Sequence, residues 1–169
     1  MLMKPNPAPT PKSEGPPSLT VETIISTHPF FEGMSPHHLR LLADGAMPAH
    51  FIANELIFRE GDPANRFYLL QKGSVALESV VKHKGRVPIQ VIGAGEVLGW
   101  SWLFPPYFWH FDARALTAVD AVFIYGTPIR EECESDHEFG YELMKRLSSV
   151  MLKRLQATRC KLLGSSSEL

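Results

Sequence analysis

Cysteine is scarce in this chain: only Cys133 and Cys160 occur among 169 residues, and they form no C-x-x-C pattern. That excludes a multi-disulfide framework; one disulfide between them is the alternative, and two free thiols in a reducing compartment are the expectation. Charge of one sign is also lacking. Seventeen Lys and Arg stand against 18 Asp and Glu, for a net charge of −1, so overall basicity gives no argument for nucleic-acid binding. No apolar run approaches the roughly 20 residues that span a bilayer. The N-terminus lacks the apolar core of a signal peptide, so the chain reads as cytoplasmic, without a membrane partner. The most telling shortage is local. From Val87 to Ala113 there is no Lys or Arg.

Residues 1–18 hold six prolines and almost nothing apolar, so they read as a disordered tail. Residues 19–46 carry the signals of short helices. Thr20 is a candidate N-cap before Val21, Ile24 and Ile25, and Ser35-Pro36 opens a second helix with Leu39, Leu41 and Leu42 on its apolar face. Over residues 47–127 the pattern changes to short apolar runs. Phe51-Ile52, Leu56–Phe58, Phe67–Leu70, Val75–Val81, Val87–Ile92, Phe111–Thr117 and Ala121–Tyr125 alternate with turns such as Gly61-Asp62-Pro63 and Gly93-Ala94-Gly95. Regular short strands of this kind predict an antiparallel sandwich or barrel.

The helical period returns in residues 128–163. Thr127-Pro128 reads as a cap followed by a first-turn proline, and Ser135-Asp136-His137-Glu138 has capping-box spacing. A helix over 138–163 would carry Leu143, Leu147, Met151, Leu155 and Leu162 on a broad apolar stripe. A helix longer than one domain needs, with such a stripe, predicts a homodimer through paired C-terminal helices. The basic residues along it (Lys145, Arg146, Lys153, Arg154, Arg159, Lys161) read as a solvated face that suits the helix dipole. Residues 164–169 form a short polar tail, which leaves no room for a DNA-reading helix-turn-helix, so specific DNA binding is not expected.

Short helices, a β region and a long helix follow one another along the chain. With them come His28-Pro29-Phe30-Phe31, Phe58-Arg59-Glu60-Gly61-Asp62, Arg66-Phe67-Tyr68-Leu69-Leu70-Gln71-Lys72-Gly73, and Gly95-Glu96-Val97-Leu98-Gly99. This combination resembles the cyclic-nucleotide-binding domain of the catabolite-activator and FNR-like regulators, over about residues 20–163. The resemblance implies a mainly β fold: an antiparallel β-roll, or jelly roll, with short N-terminal helices and a long dimerising C-terminal helix. It also implies a phosphate-binding cassette beginning at Gly95, with Glu96 at the position that accepts a ribose hydroxyl.

The family's cassette arginine has no counterpart here. Its position falls near Trp109-His110, and Arg114 is the first basic residue beyond it. In its place stand seven aromatic residues within the twelve positions from Trp100 to Phe111. Three readings follow. The rings are core that fills the cassette itself, or they form a pocket for a flat ligand oriented by Glu96, His110 and Arg114, or an ordinary cyclic nucleotide binds weakly. Pro105-Pro106 is expected to shorten or break the cassette helix. The candidate ligand-binding residues are Gly95, Glu96, Val97, Leu98, Gly99, Trp100, Trp109, His110 and Arg114.

No catalytic motif is present. Seven histidines in a barrel raise the alternative of a small cupin-like metal enzyme, but they are scattered and none forms H-x-H. The expectation is a stand-alone regulatory or sensor domain rather than an enzyme, with no resident cofactor or metal. Its partners would be a second copy, an unidentified small molecule and a downstream protein. The alternative is a ligand-free interaction scaffold with a self-filled aromatic pocket.

Overall fold

A computed structural model describes residues 19–165; the proline-rich segment and the last four residues lie outside them. Helix α1 (Val21–Thr27) is capped by Thr20, whose hydroxyl accepts from Thr23 N at 3.3 Å. A 3-10 turn (Pro29–Phe31) leads to α2 (Pro36–Asp44), capped by Ser35 with Pro36 in its first turn. Eight strands follow: β1 (Ala46–Phe51), β2 (Leu56–Phe58), β3 (Arg66–Lys72), β4 (Ser74–Val81), β5 (Gly85–Gly93), β6 (Val97–Leu98), β7 (Asp112–Ala115) and β8 (Val119–Tyr125). They form two four-stranded antiparallel sheets, ordered β1-β8-β3-β6 and β2-β7-β4-β5. Helices α3 (Gly126–Ser135) and α4 (His137–Ser165) end the fold.

The first sheet has a core on each face, and the strand period of two decides which residue serves which. On β3, Phe67 and Leu69 join the helices, while Tyr68 and Leu70 point into the roll. On β8, Val122 and Ile124 face the helices, while Val119 and Ala121 face the roll. This double burial explains the continuous apolar run of β3, which a sheet wet on one side would not need.

Several expected boundaries move. The first strand begins at Ala46 and leaves out Ile52. Helix α3 starts at Gly126, behind a Tyr125 N-cap that makes no side-chain bond, so Thr127-Pro128 lies inside its first turn. The capping box does not form. Asp136 takes the cap instead, its Oδ1 accepting from Glu138 N and Phe139 N at 3.0 Å each. An acid flanked by two orphan N–H groups outcompetes the shorter serine, and Ser135 Oγ turns back to Glu131 O. The Phe139 amide and the His38 ring, 2.9 Å away, hold the Asp136 carboxyl below the usual carboxylate range. Helix α4 runs through Gly164 to Ser165, 29 residues and so about 43 Å long.

The apolar stripe on α4 divides. Leu143 and Leu147, expected on a dimer seam, are buried to 1% exposure against Phe139, Ile25 and the first sheet. They anchor the helix to its own domain. Leu155 and Leu162 stand 67% and 66% exposed. Both thiols are unpaired; burial pushes the Cys133 thiol up to about 11, while Cys160 lies exposed on α4.

Candidate functional site

The glycine turn before β6 is built by backbone bonds to β3: Gly95 N donates to Leu70 O at 2.8 Å, and Leu70 N to Glu96 O at 3.0 Å. Gly95 needs its hydrogen side chain, because φ is +82°. Glu96 folds back on its own turn, its Oε2 accepting from Gly93 N at 2.8 Å. Glu96 is thus already engaged in local turn geometry.

After β6 the chain makes turns rather than a helix, and then delivers its rings to three places. Trp102 goes to the helical core, stacked on Phe67 at 5.0 Å. Trp109 goes into the roll, where it stacks on Phe58 at 3.8 Å with 11° between planes, 4% exposed. Trp100 lies at the junction and carries the Arg154 guanidinium 4.5 Å above its ring. Trp109 is locked from both sides. Its N donates to Asp62 O at 2.9 Å, and its O accepts from Gly61 N at 2.8 Å. Ala64 N donates to Tyr107 O at 2.7 Å, which laces the same segment to the turn between β2 and β3. Gly99 has φ +87°, and a Cβ there would stand 2.7 Å from the Trp109 ring. The ring therefore rests directly on the cassette backbone.

The expected site residues do not converge. His110 is exposed on the loop. Arg114 belongs to a network on the second sheet, with Glu78 Oε2 at 3.3 Å and Asn54 O at 2.9 Å. Arg86 joins that network through Asp112 and Glu78, and Asp112 also accepts from Glu60 N. Arg114 is thus held in ion pairs of the second sheet rather than beside Glu96. Leu98 and Trp109 are core side chains of the roll.

Gly95, Glu96 and Val97 instead face α4 across a cavity of about 330 Å³, lined also by Pro29, Phe30, Gln90, Arg146, Ser149, Val150, Lys153 and Arg154. Residues of α4 were missed by sequence reasoning. Arg154 is 94% buried by its 6% exposure and hydrogen-bonds the Val97 carbonyl through Nη2. Burial lowers its pKa to about 10, opposed by the nearby Glu96 carboxylate, so it remains a cation at neutral pH. A signal was present: 143, 147, 150 and 154 continue one helical row at spacings of three and four, so an arginine occupies the next position of a buried apolar stripe.

Residues 48–136 match the cyclic nucleotide-binding domain profile, more than half of the chain. The chain belongs to the cyclic nucleotide-binding domain family. A cyclic nucleotide-binding-like protein from Brucella abortus is 31% identical over 67% of this chain and 97% of its own, with a TM-score of 0.55. A cyclic nucleotide-binding domain from Methylobacillus flagellatus shares the fold at TM-score 0.73 and 18% identity, over 86% of this chain and 82% of its own. Among curated proteins, the CRP-like cAMP-activated global transcriptional regulator of Mycobacterium tuberculosis is 22% identical over 82% of this chain. The match spans 60% of that regulator's length. Among the described residues no group of three metal-ligating side chains comes together, and no helix is long and apolar enough to cross a membrane.

Proposed function

We propose that this chain is a regulatory domain of its family whose roll is filled by its own aromatic side chains. Its signal would pass through α4 and its partners rather than through cyclic AMP held in the roll. The observation that carries this reading is Trp109, stacked on Phe58 and pressed on Gly99. The ring takes interior space in the roll, and no cation from 87–113 offers a phosphate its charge-assisted bonds. The expected degenerate cassette is thus read in its self-filled form, and the flat-ligand pocket is given up because Glu96 bonds its own turn, Arg114 joins the second sheet's ion pairs and His110 lies exposed on the loop.

Dimerisation belongs to the same proposal. The row on α4 away from the core has heptad spacing, with the exposed Tyr141, Ser148, Leu155 and Leu162 in one position and the exposed Met144 and half-buried Met151 and Thr158 in the other. Such a row fits a second copy of α4, and each Leu buried there contributes about 1.5–3 kcal/mol. Leu143 and Leu147 take no part in this seam.

Native mass spectrometry of the protein as purified tests the reading. The expected spectrum is a dimer without a cyclic-nucleotide mass increment. A stoichiometric increment of cyclic AMP or cyclic GMP contradicts it.

A further inference from the structure

The cavity between the glycine turn and α4 lies outside the roll: none of the roll's core residues lines it. Its wall is cationic. Arg146, Lys153 and Arg154 come from one face of α4, Ser149 adds a hydroxyl, and Glu96 is the one carboxylate of the lining. Arg146 is partly spent, bonding the Phe30 and Glu32 carbonyls at 3.1 and 2.8 Å and meeting Glu142 at 3.4 Å. Lys153 is exposed and lines the cavity.

Arg154 is the group whose chemistry is incomplete. One corner of its guanidinium holds Val97 O, and one face lies on Trp100. Its Nε and Nη1 have no hydrogen-bond partner among the described residues, and Arg146 Nε is in the same condition. A buried guanidinium that leaves donors unmade is costly, and the group that offsets the cost best is an oxyanion. A guanidinium, an ammonium and a hydroxyl on one wall offer more donors than the two oxygens of a carboxylate accept. A phosphate group, with three terminal oxygens, uses them more fully. A cavity of about 330 Å³ holds a small metabolite.

We propose that this cavity binds a small phosphate-bearing molecule, held by Arg154 and Lys153 beside the glycine turn. The site joins α4 to the cassette at the helix's buried end of contact, so occupancy would tighten that contact. It is independent of what happens inside the roll, and stands or falls separately from the self-filled reading.

The probe is inorganic phosphate, titrated into the full chain at constant ionic strength made up with chloride. The readouts are thermal midpoint and tryptophan emission, since Trp100 lies under Arg154. Saturable changes at millimolar phosphate are expected. Lys153→Gln and Arg154→Gln should each weaken the response about tenfold or more. Arg159→Gln, an exposed cation of α4 that does not line the cavity, should leave it unchanged. Lys153 is exposed, so its variant keeps the test open if Arg154→Gln fails to fold. No saturable response in the wild type, or an undiminished one in Lys153→Gln, overturns the site. Succinate binding as well as phosphate does would overturn the assignment to phosphate.

Discussion

Replacing Trp109 by alanine should cost the domain about 3–5 kcal/mol of stability, among the largest losses available to a single truncation here. The ring is 4% exposed, stacked on Phe58 at 3.8 Å, and packed with Tyr68, Phe111, Leu98 and Ala113 in the same cluster. Its removal leaves a cavity that the neighbouring backbone cannot collapse into. The cassette segment is pinned to the β2–β3 turn by the bonds of Trp109 and Tyr107 to Gly61, Asp62 and Ala64. Urea denaturation of the wild type and variant measures the difference. The variant should gain no affinity for cyclic nucleotide, because the opened space still lacks a cation: Arg114 remains with Glu78 and Asn54. A loss below about 1 kcal/mol would mean that the ring is not part of the packed core.

Two leucines on one helix should behave in opposite ways when changed to aspartate. Leu147→Asp buries a carboxylate at a position 1% exposed, among Ile25, Phe139 and Leu143, and is expected to cost about 4 kcal/mol or more. That variant should be unfolded or aggregated. Leu155→Asp changes a side chain 67% exposed in the isolated chain. It should keep the circular dichroism and thermal transition of a folded domain while turning a dimer into a monomer by sedimentation. Unfolding of Leu155→Asp would contradict the division of the stripe, and a wild-type monomer would contradict the pairing.

How far the sequence carried this structure depends on which force decided each element. The strands and the capped starts of α1 and α2 were legible because alternation and capping are local. The long helix was legible from its period. Its two faces were not separated, because Leu143, Leu147, Leu155 and Leu162 are equivalent as letters. Only the placement of Phe139 and the first sheet decides which of them is core. Arg154 was hidden for a related reason. It sat in a basic run that resembles a solvated face, and its burial comes from Trp100 and Val97, more than fifty residues away in sequence. The aromatic cluster was legible as an anomaly: cations absent from 87–113 and rings in their place. That one ring enters the roll, one the helical core and one the α4 contact is tertiary information. So is the commitment of Glu96 to Gly93, since the same glutamate could close its turn or face a ligand.

The most direct test is a calorimetric titration of the wild-type protein with cyclic AMP and cyclic GMP in phosphate-free buffer. Without a Lys or Arg from 87–113 to enter the roll, a cyclic phosphate held there forgoes a charge-assisted bond of about 1.5–3 kcal/mol, or roughly 10- to 150-fold in affinity. The Trp109 ring must also be displaced for either ligand to enter. No saturable heat is expected with either nucleotide up to about 100 μM. A saturable isotherm with a micromolar Kd, abolished by Arg114→Ala in a folded protein, would contradict it and return Arg114 to the phosphate role.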